Sequence, residues 1–248
     1  MNFTLLITGG SRGIGAATAL LAASRGWDVA INYTRDATAA EAVADRVRAA
    51  GRRAWVIQAD VAVDAEVVAM FATLDREWGP LGGLVNNAGV VDVAARVDAM
   101  GAARLQRMFA VNVLGTMACA REAVRRMSTA HGGTGGVIVN LSSAAARLGS
   151  PGQYVDYAAA KGAVDVFTLG LAREVAGEGI RVNAVRPGII ATDIHASGGQ
   201  PGRVAQIGPQ VPMQRAGTAD EVAQAIVWLL SADSSYTTGS VLDVTGGR

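Results

Sequence analysis

Seven short apolar segments, separated by longer helical patterns, are the feature that most constrains the fold. They cover residues 3–8, 28–33, 54–58, 83–86, 136–141, 180–185 and 240–244. None shows the alternation of apolar and polar residues that is typical of a strand with one solvated face, so a parallel sheet covered by helices on both sides is favoured. No linker divides the chain. We therefore predict a single doubly wound α/β domain over residues 1–248, with a mostly parallel seven-stranded sheet.

A glycine-rich turn directly follows the first segment. Residues 8–15 are Thr-Gly-Gly-Ser-Arg-Gly-Ile-Gly, followed by an apolar helical pattern. Glycine lets the backbone turn sharply and approach a pyrophosphate, whose charge is then met by amides at the helix N-terminus. The glycine spacing is Gly-x-x-x-Gly-x-Gly, which differs from the Gly-x-Gly-x-x-Gly of many dinucleotide sites. Nucleotide binding is predicted here, with a turn that holds no ligand as the alternative. The predicted contacts are Gly9, Ser11, Arg12, Gly13, Ile14 and Gly15.

The end of the second segment indicates which nucleotide is bound. An acidic side chain there would accept a hydrogen bond from the 2′-hydroxyl of the adenosine ribose. This chain has Asn32, Tyr33, Thr34 and Arg35, with no carboxylate before Asp36. Arg12 and Arg35 are instead suited to a 2′-phosphate, as charge-assisted donors. We predict NADP(H) in preference to NAD(H); the alternative is that both arginines are ordinary surface residues.

Two further segment ends carry groups suited to a nucleotide. Asp60 and Val61 follow the third segment and are predicted to bracket the adenine, although an aspartate there is equally suited to capping a helix. An Asn-Asn-Ala-Gly motif follows the fourth segment. Ligands of open α/β sheets lie at the carboxyl ends of the strands. Asn87, Ala88 and Gly89 are therefore assigned to the same site.

Residues 141–162 place Ser142, Ser143, Tyr157 and Lys161 around one loop and the start of a helix. The glycines and proline at 149–152 predict a turn, and an alanine-rich helix is predicted to begin near Tyr154 or Val155. Tyr157 and Lys161 stand four residues apart and share a helix face. The ammonium should therefore favour the deprotonated phenol and lower its pKa from the usual value of about 10. Such a tyrosine suits proton transfer near neutral pH, but a lone pair of this kind is more often incidental.

Composition and charge argue against several classes of protein. A net charge of +1 and a pI near 7.9 give no global attraction to nucleic acid or anionic lipid. One cysteine allows no internal disulfide, and two histidines with one cysteine form no cluster at zinc spacing. No apolar run approaches the roughly 18 residues that span a bilayer, and no signal peptide is evident. We expect a cytoplasmic protein with no metal, nucleic-acid partner or membrane partner.

Five motifs together resemble one family, the short-chain dehydrogenase/reductases. They are TGGSRGIG at 8–15, NNAG at 86–89, Asn112 in VNVLGT, the stretch 143–161, and Pro187-Gly188, in the family's order and approximate spacing. The chain looks most like bacterial oxidoreductases related to glucose dehydrogenases and 3-oxoacyl-carrier-protein reductases. The resemblance implies a Rossmann domain. It also implies hydride transfer between a nicotinamide cofactor and a small-molecule carbonyl or secondary-alcohol substrate.

The resemblance further implies roles for four catalytic residues. Tyr157 would exchange a proton with the substrate oxygen, Lys161 would tune Tyr157 and bind the nicotinamide ribose, and Ser143 would polarise the substrate oxygen. Asn112 would help hold a water that relays protons from Lys161, unless its amide is buried for structural reasons. Ser142 is the alternative to Ser143, because thirteen residues separate Ser143 from Tyr157, one more than in many relatives.

The nicotinamide end and the lid are also implied by the resemblance. Pro187 and Gly188 would shape the turn beneath the nicotinamide, Ile189 would cover the ring, and Ile190 and Thr192 would complete the contacts. The irregular segment at about 191–213 would be a mobile lid over the substrate. His195, within it, is given no catalytic role, because the proton donor is already supplied.

Assembly and substrate are less well defined. The long helical patterns at about 101–127 and 155–176 would pack across a dyad in a homotetramer or homodimer. The residues expected to line the substrate pocket do not identify the substrate; they are Val91, Ala145, Arg147, Gln153, Tyr154 and 194–207. A nucleotide sensor or scaffold that kept the fold without the reaction is the alternative function. The complete set of four catalytic residues favours an enzyme.

Overall fold

A seven-stranded sheet forms the centre of the computed structural model, which describes residues 4–248. The strands are β1 (Thr4–Ile7), β2 (Asp28–Tyr33), β3 (Ala54–Gln58), β4 (Leu81–Asn86), β5 (Gly136–Leu141), β6 (Ile180–Pro187) and β7 (Val241–Val244). Their order is β3-β2-β1-β4-β5-β6-β7, and all neighbouring strands are parallel. The predicted doubly wound α/β fold is confirmed. Phe3, which was assigned to the first strand, and the side chain of His195 lie outside the described residues.

Helices cover both faces of this sheet. They are α1 (Gly13–Ser24), α2 (Ala37–Ala49), α3 (Asp64–Glu77), α4 (Ala102–Phe109), α5 (Gly115–Met127), α6 (Ala145–Leu148), α7 (Val155–Val175), α8 (Ile194–Ser197), α9 (Arg203–Ile207) and α10 (Ala219–Leu230). The first face packs against α1, α2 and α10, and the second against α3, α5 and α7. Within residues 4–248, no helix is both long enough and apolar enough to cross a lipid bilayer.

The first strand shows why these segments are mainly apolar. Leu5 and Ile7 belong to the core beneath α1, α2 and α10, whereas Leu6 belongs to the core on the opposite face. All three side chains are fully buried. Successive residues of a strand point to opposite faces, so a sheet covered on both sides favours apolar side chains at most positions. Thr4 is an exception, because its hydroxyl is buried and has no hydrogen-bond partner among residues 4–248.

The strand order reverses at β1, which has β2 on one side and β4 on the other. The helix that follows β1, α1, covers one face of the sheet, whereas α5, which follows β4, covers the other. This arrangement opens a crevice beyond the carboxyl ends of β1 and β4. Ile7 pairs with Val85 at this edge. The glycine turn and the segment 86–89 therefore emerge side by side.

Two predicted segments differ from what the structure contains. The pattern at 101–127 is divided into α4, a π-helical turn over Ala110–Leu114, and α5. A π-helical turn holds one extra residue, which a 3.6-residue periodicity does not reveal. The segment 191–213 is not irregular throughout, since it contains α8, α9 and a 3₁₀ turn over Gly208–Gln210. Four- and five-residue helices are too short to show a periodic pattern.

Candidate active site

The glycine turn after β1 has a backbone that glycine adopts most easily. Gly9 and Gly13 have φ angles of +61° and +55°, in the left-handed region. A Cβ atom on Gly15 would lie 2.6 Å from the carbonyl oxygen of Gly9 and 2.6 Å from Asn87 Nδ2. The close approach of these backbone segments therefore requires glycine at position 15.

The N-terminus of α1 is well suited to an anion. Its N-cap residue, Arg12, makes no capping hydrogen bond through its side chain, and the first turn contains no acidic residue. The first amides of a helix have no intrahelical acceptor, and the helix dipole favours negative charge there. Ser11, Gly13 and Ile14 are partly buried at the same turn. A pyrophosphate fits this combination of close-packed glycines and uncapped amides.

Asn87 ties the glycine turn to the end of β4. Its Nδ2 donates to the carbonyl oxygens of Thr8 and Gly9, both at 2.9 Å. The Thr8 hydroxyl in turn accepts from the amides of Asn87 and Ala88, both at 3.0 Å. Thr8 was not among the predicted site residues, although it begins the first motif. Its hydroxyl holds the two segments together at the edge where a ligand would lie.

The end of β2 provides no free carboxylate. Asn32 is buried, accepts from the Gly9 amide at 3.2 Å through Oδ1, and donates to the Ala59 carbonyl at 3.0 Å through Nδ2. The Asp36 carboxylate accepts from the Ala39 amide at 2.9 Å and so caps α2. Both side chains are therefore committed to backbone groups of the protein.

The arginines at this end are differently placed. Arg12 and Arg35 are exposed, and neither forms an ion pair with any residue in the range 4–248. Tyr33 is partly buried and Thr34 is exposed beside them. Both guanidinium groups are thus available to a ligand.

Asp60 and Val61 have local roles of their own. The Asp60 carboxylate accepts from the Ala62 amide at 2.9 Å, while the N-cap of α3 is Val63. Asp60 therefore closes the turn before α3 and does not cap the helix. Val61 is buried against Gly115, where an added Cβ would lie 2.8 Å from the valine side chain. The contacts of Asp60 and Val61 with an adenine stay predictions.

Lys161 extends from α7 to the end of β5. Its Nζ donates to the Leu141 carbonyl at 2.6 Å and lies 5.7 Å from the centre of the Tyr157 ring. The side chain is buried. Burial lowers the pKa of Lys161 to about 8, against the opposing effect of the Asp165 carboxylate. The ammonium group can therefore lose its proton near physiological pH.

A nuclear magnetic resonance titration tests the position of Lys161 directly, because Lys161 is the only lysine in the sequence. Protein labelled with ¹³C-lysine should give one side-chain signal, with a titration midpoint near pH 8. A solvated lysine titrates near 10.4. Ammonium charge on Lys161 should thus be lost as the pH rises through about 8. A midpoint at or above 10 would contradict the burial of this group.

Tyr157 differs from its predicted electrostatic state. Burial raises the pKa of its phenol from the ordinary value, and a hydrogen bond with Ser143 acts in the opposite direction. The prediction that Lys161 lowers this pKa below about 10 is wrong in this structure, because the ammonium binds the Leu141 carbonyl and burial dominates. Tyr157 is consequently protonated at neutral pH.

The two serines after β5 have distinct partners. Ser142 is buried, and its hydroxyl donates to the Lys161 carbonyl at 3.2 Å. The Ser143 hydroxyl accepts from the Ala145 amide at 3.1 Å and interacts with the Tyr157 phenol. Ser142 thus supports the backbone of α7, whereas Ser143 lies beside the phenol. The geometry favours the choice of Ser143 for the catalytic role.

Asn112 lies in the π-helical turn and is fully buried. Its Nδ2 donates to the carbonyls of Val90 and Met108 at 3.0 and 2.9 Å, and its Oδ1 accepts from the Val90 amide at 3.1 Å. These bonds give the side chain the structural role that was the alternative to a proton relay. Asn112 is nevertheless near Lys161, since a Cβ on Gly89 would lie 2.9 Å from Asn112 Oδ1 and 3.6 Å from Lys161 Nζ. Its relay role stays a prediction.

The nicotinamide end of the predicted site adjoins the glycine turn. Pro187 accepts from the Ala144 amide at 2.9 Å, and a Cβ on Gly188 would lie 2.8 Å from Thr245 Cα. A Cβ on Gly13 would lie 3.4 Å from Thr192 Cγ2. The glycine turn and the predicted nicotinamide segment are therefore in contact at Gly13 and Thr192.

One open cleft connects these groups. The predicted site residues that line it are Ile14, Asn87, Gly89, Ser143, Tyr157, Lys161, Pro187, Gly188, Ile189, Ile190 and Thr192. Val91, Ala145, Tyr154, Ile194 and Arg203 line it as expected for the substrate pocket. Arg147 is instead exposed and paired with Asp243 at 2.6 Å. The Gln153 side chain accepts a hydrogen bond from Arg203 at 2.9 Å. In the described part of the chain, no three His, Cys, Asp or Glu side chains group as metal ligands.

Comparisons with known proteins agree with the geometry. Residues 9–248 match a family model described as enoyl-(acyl carrier protein) reductase. An Escherichia coli (strain K12) protein named uncharacterized oxidoreductase YgfF is 56% identical over 243 residues, with 98% of each chain covered. A 3-oxoacyl-(acyl-carrier-protein) reductase, FabG, from Staphylococcus aureus (strain Mu50) is 36% identical, covering 100% of this chain and 98% of its own.

Solved structures give the same result. A short-chain type dehydrogenase/reductase from Mycobacterium marinum has a TM-score of 0.92 and 35% identity, covering 99% of this chain and 94% of its own. A mutant short-chain dehydrogenase/reductase from Serratia marcescens has a TM-score of 0.89 and 34% identity, covering 99% and 97%. The resemblance seen in the motifs is confirmed: the chain belongs to the short-chain dehydrogenase/reductase family and is an NAD(P)-dependent oxidoreductase.

Proposed function

We propose that this protein is an NADP(H)-dependent oxidoreductase that interconverts a carbonyl compound and a secondary alcohol, with Tyr157 as the general acid and base. The observation that carries the proposal is the juxtaposition of three groups in one cleft. They are a protonated Tyr157, a Ser143 hydroxyl beside its phenol, and a buried Lys161 one helical turn away. A nucleotide sensor needs the glycine turn but has no use for this arrangement.

Residues along the whole crevice are suited to binding a dinucleotide. The amides at the start of α1 would bind the pyrophosphate, and Asn87 and Gly89 would border the path toward the cleft. Pro187, Gly188 and Thr192 would hold the nicotinamide. When bound, the nicotinamide supplies or accepts the hydride.

Proton transfer is assigned to the protein. In reduction, Tyr157 Oη donates its proton to the substrate oxygen as the C=O bond becomes a C–O single bond. Ser143 donates a hydrogen bond to the same oxygen and stabilises its developing negative charge. Lys161, with a pKa of about 8, can release and regain a proton near physiological pH and so resupply Tyr157. In oxidation, Tyr157 first gives its proton to a neutral Lys161, and the resulting phenolate then accepts the alcohol proton.

Coenzyme preference follows from the arginines at the adenosine end. We expect a lower Kd for NADPH than for NADH, because Arg12 and Arg35 are free to bind a 2′-phosphate and the Asp36 carboxylate is engaged by α2. Arg35→Ala should weaken NADPH binding by about 10-fold or more and change NADH binding little. Arg25→Ala, at the far end of α1, is the matched control. Equal or tighter NADH binding by the unmodified protein would contradict this preference.

The proposed reaction is tested by a panel of carbonyl and alcohol substrates, followed through NADPH absorbance. Substrate-dependent consumption of NADPH with at least one carbonyl supports the enzyme. Tight NADPH binding without turnover across a broad panel would favour the sensor or scaffold instead.

We also propose a homotetramer, with the segment from α4 to α5 and the helix α7 in subunit contact. These elements expose large apolar side chains: Leu114 is 60% and Val166 is 73% exposed. Exposed apolar side chains on these elements are suited to subunit contact if they form a contiguous patch. A sedimentation mass equal to that of the monomer would refute the assembly.

The segment 191–213 is proposed as the lid over the substrate. The cytoplasm is proposed as the location of the protein.

A further inference from the structure

Arg203, at the start of α9, lines the cleft and is held in place by neutral groups. Its guanidinium carbon lies 5.2 Å from the centre of the Tyr154 ring. Its Nη1 donates to Gln200 Oε1 at 2.7 Å and to Gln153 Oε1 at 2.9 Å. A cation–π contact and two amide oxygens therefore hold the guanidinium without neutralising its charge.

Arg203 also retains donors for a further partner. A guanidinium carries five N–H donors, and among residues 4–248 only the Nη1 group of Arg203 has hydrogen-bond acceptors. The Nε and Nη2 groups form the edge that binds a carboxylate or phosphate through two parallel hydrogen bonds. This edge has no hydrogen-bond acceptor among residues 4–248. Arg203 is thus pre-organised for an anion.

The charge balance of the cleft points the same way. Its lining contains no Asp or Glu. The buried carboxylate at the start of α7, Asp156, is bound by Arg104 through two hydrogen bonds, at 2.7 and 3.1 Å. Asp156 is therefore already neutralised. Arg248 lines the cleft as well.

Arg203 lies near the proposed proton donor, Tyr157. Tyr154 is the N-cap residue of α7 and Tyr157 lies in its first turn, and both side chains line the cleft. Arg203 stacks on the first of these rings, and the proposed proton donor is the second. A substrate that reaches both would carry its anionic group a few bonds from the reacting carbonyl.

We propose that Arg203 binds an anionic oxygen group of the substrate, so that the preferred substrates are carbonyl compounds that carry a carboxylate or a phosphate. The inference rests on the proposed function and names the substrate class of the same site. It makes Arg203 a determinant of specificity and not a participant in proton transfer.

Matched pairs of charged and neutral carbonyl compounds test the inference. The carboxylate pairs are acetoacetate with methyl acetoacetate and 4-oxopentanoate with its methyl ester, and the phosphate pair is dihydroxyacetone phosphate with dihydroxyacetone. The ratio of kcat/KM, charged over neutral, should exceed 1 in the unmodified enzyme for at least one pair. The pair with the larger ratio identifies carboxylate or phosphate as the anion.

Variants at position 203 separate charge recognition from folding. Arg203→Gln should lower kcat/KM for the charged member by about 10- to 100-fold, as expected for hydrogen bonds to a charged group, and change the neutral member little. Arg203→Lys should restore part of the loss, because it keeps the charge without the planar donor edge. Arg96→Gln, which removes an arginine that is 80% exposed and paired with Asp98, should leave the ratio unchanged.

The outcomes separate the two proposals. Neutral members reduced as well as or better than charged ones, or an Arg203→Gln variant that weakens both members equally, would overturn the anion site while leaving the oxidoreductase in place. Absence of turnover with every compound of both this set and the general carbonyl panel would instead overturn the proposed function.

Discussion

Replacing Tyr157 with Phe should lower kcat/KM for carbonyl reduction by about 10²- to 10⁴-fold, the usual contribution of a positioned general acid. The variant loses only the hydroxyl that interacts with Ser143. The ring, and its position 5.7 Å from Lys161 Nζ, would remain. Because the pyrophosphate and adenosine ends of the crevice are unchanged, the Kd for NADPH should stay close to that of the unmodified protein. Steady-state kinetics and a fluorescence titration with NADPH measure the two effects.

Tyr154→Phe is the matched control for this prediction. Tyr154 lines the same cleft three residues earlier and would also lose a phenolic hydroxyl. Its ring, on which Arg203 stacks, would be kept. The loss in kcat/KM should be far smaller than for Tyr157→Phe. If Tyr157→Phe kept near-normal turnover, Tyr157 would have no role as the acid and base.

Replacing Gly15 with Ala should raise the Kd for NADPH by about 10- to 100-fold. The added Cβ would lie 2.6 Å from both the Gly9 carbonyl oxygen and Asn87 Nδ2, so the turn or the end of β4 must shift. Overpacking of this kind costs about 1–3 kcal/mol. The shift would displace the amides that are proposed to bind the pyrophosphate. Isothermal titration with NADPH measures the change in affinity.

Gly177→Ala controls for the substitution itself. Gly177 follows α7, and an added Cβ there would meet nothing within 4 Å. Its thermal melting temperature and NADPH affinity should match those of the unmodified protein. A Gly15→Ala variant that melts normally and binds NADPH normally would remove the glycine turn from the cofactor site.

The sheet was predictable because burial on both faces forces apolar sequence. β2, β3 and β5 have the predicted limits, since each is bounded by polar or turn-forming residues. β4 begins two residues before the predicted start of Gly83, at Leu81, because Gly82 carries no strand signal of its own. β6 continues to Pro187, which pairs with Val244 of β7. A proline at a strand end keeps its carbonyl for the sheet, and this depends on the neighbouring strand and not on the local sequence.

The candidate site was predictable in outline, because its motifs directly follow β1, β4 and β5. The hydrogen-bond partners of individual polar side chains were not predictable. Asn32 joins backbone groups that are 23 and 27 residues away, and Asn87 reaches back 79 residues to Thr8. Such bonds depend on the parallel register, which a sequence pattern does not specify.

The electrostatic state of Tyr157 was mispredicted for a related reason. The spacing of Tyr157 and Lys161 correctly places them on one face of α7. It does not tell how deeply the phenol is buried or that the ammonium binds the Leu141 carbonyl. Burial therefore dominates the pKa of both groups.

The most direct measurement of the central claim is isotope transfer to a carbonyl substrate. The protein is incubated with NADPH carrying deuterium at both C4 positions of the nicotinamide and with a carbonyl compound that it consumes, and the product is examined by mass spectrometry. We expect a secondary alcohol with one deuterium on the carbinol carbon, formed at least about 10²-fold more slowly by Tyr157→Phe. Binding of NADPH without deuterium in any product would contradict hydride transfer by this protein. Equal incorporation by Tyr157→Phe would contradict the role of Tyr157 as general acid.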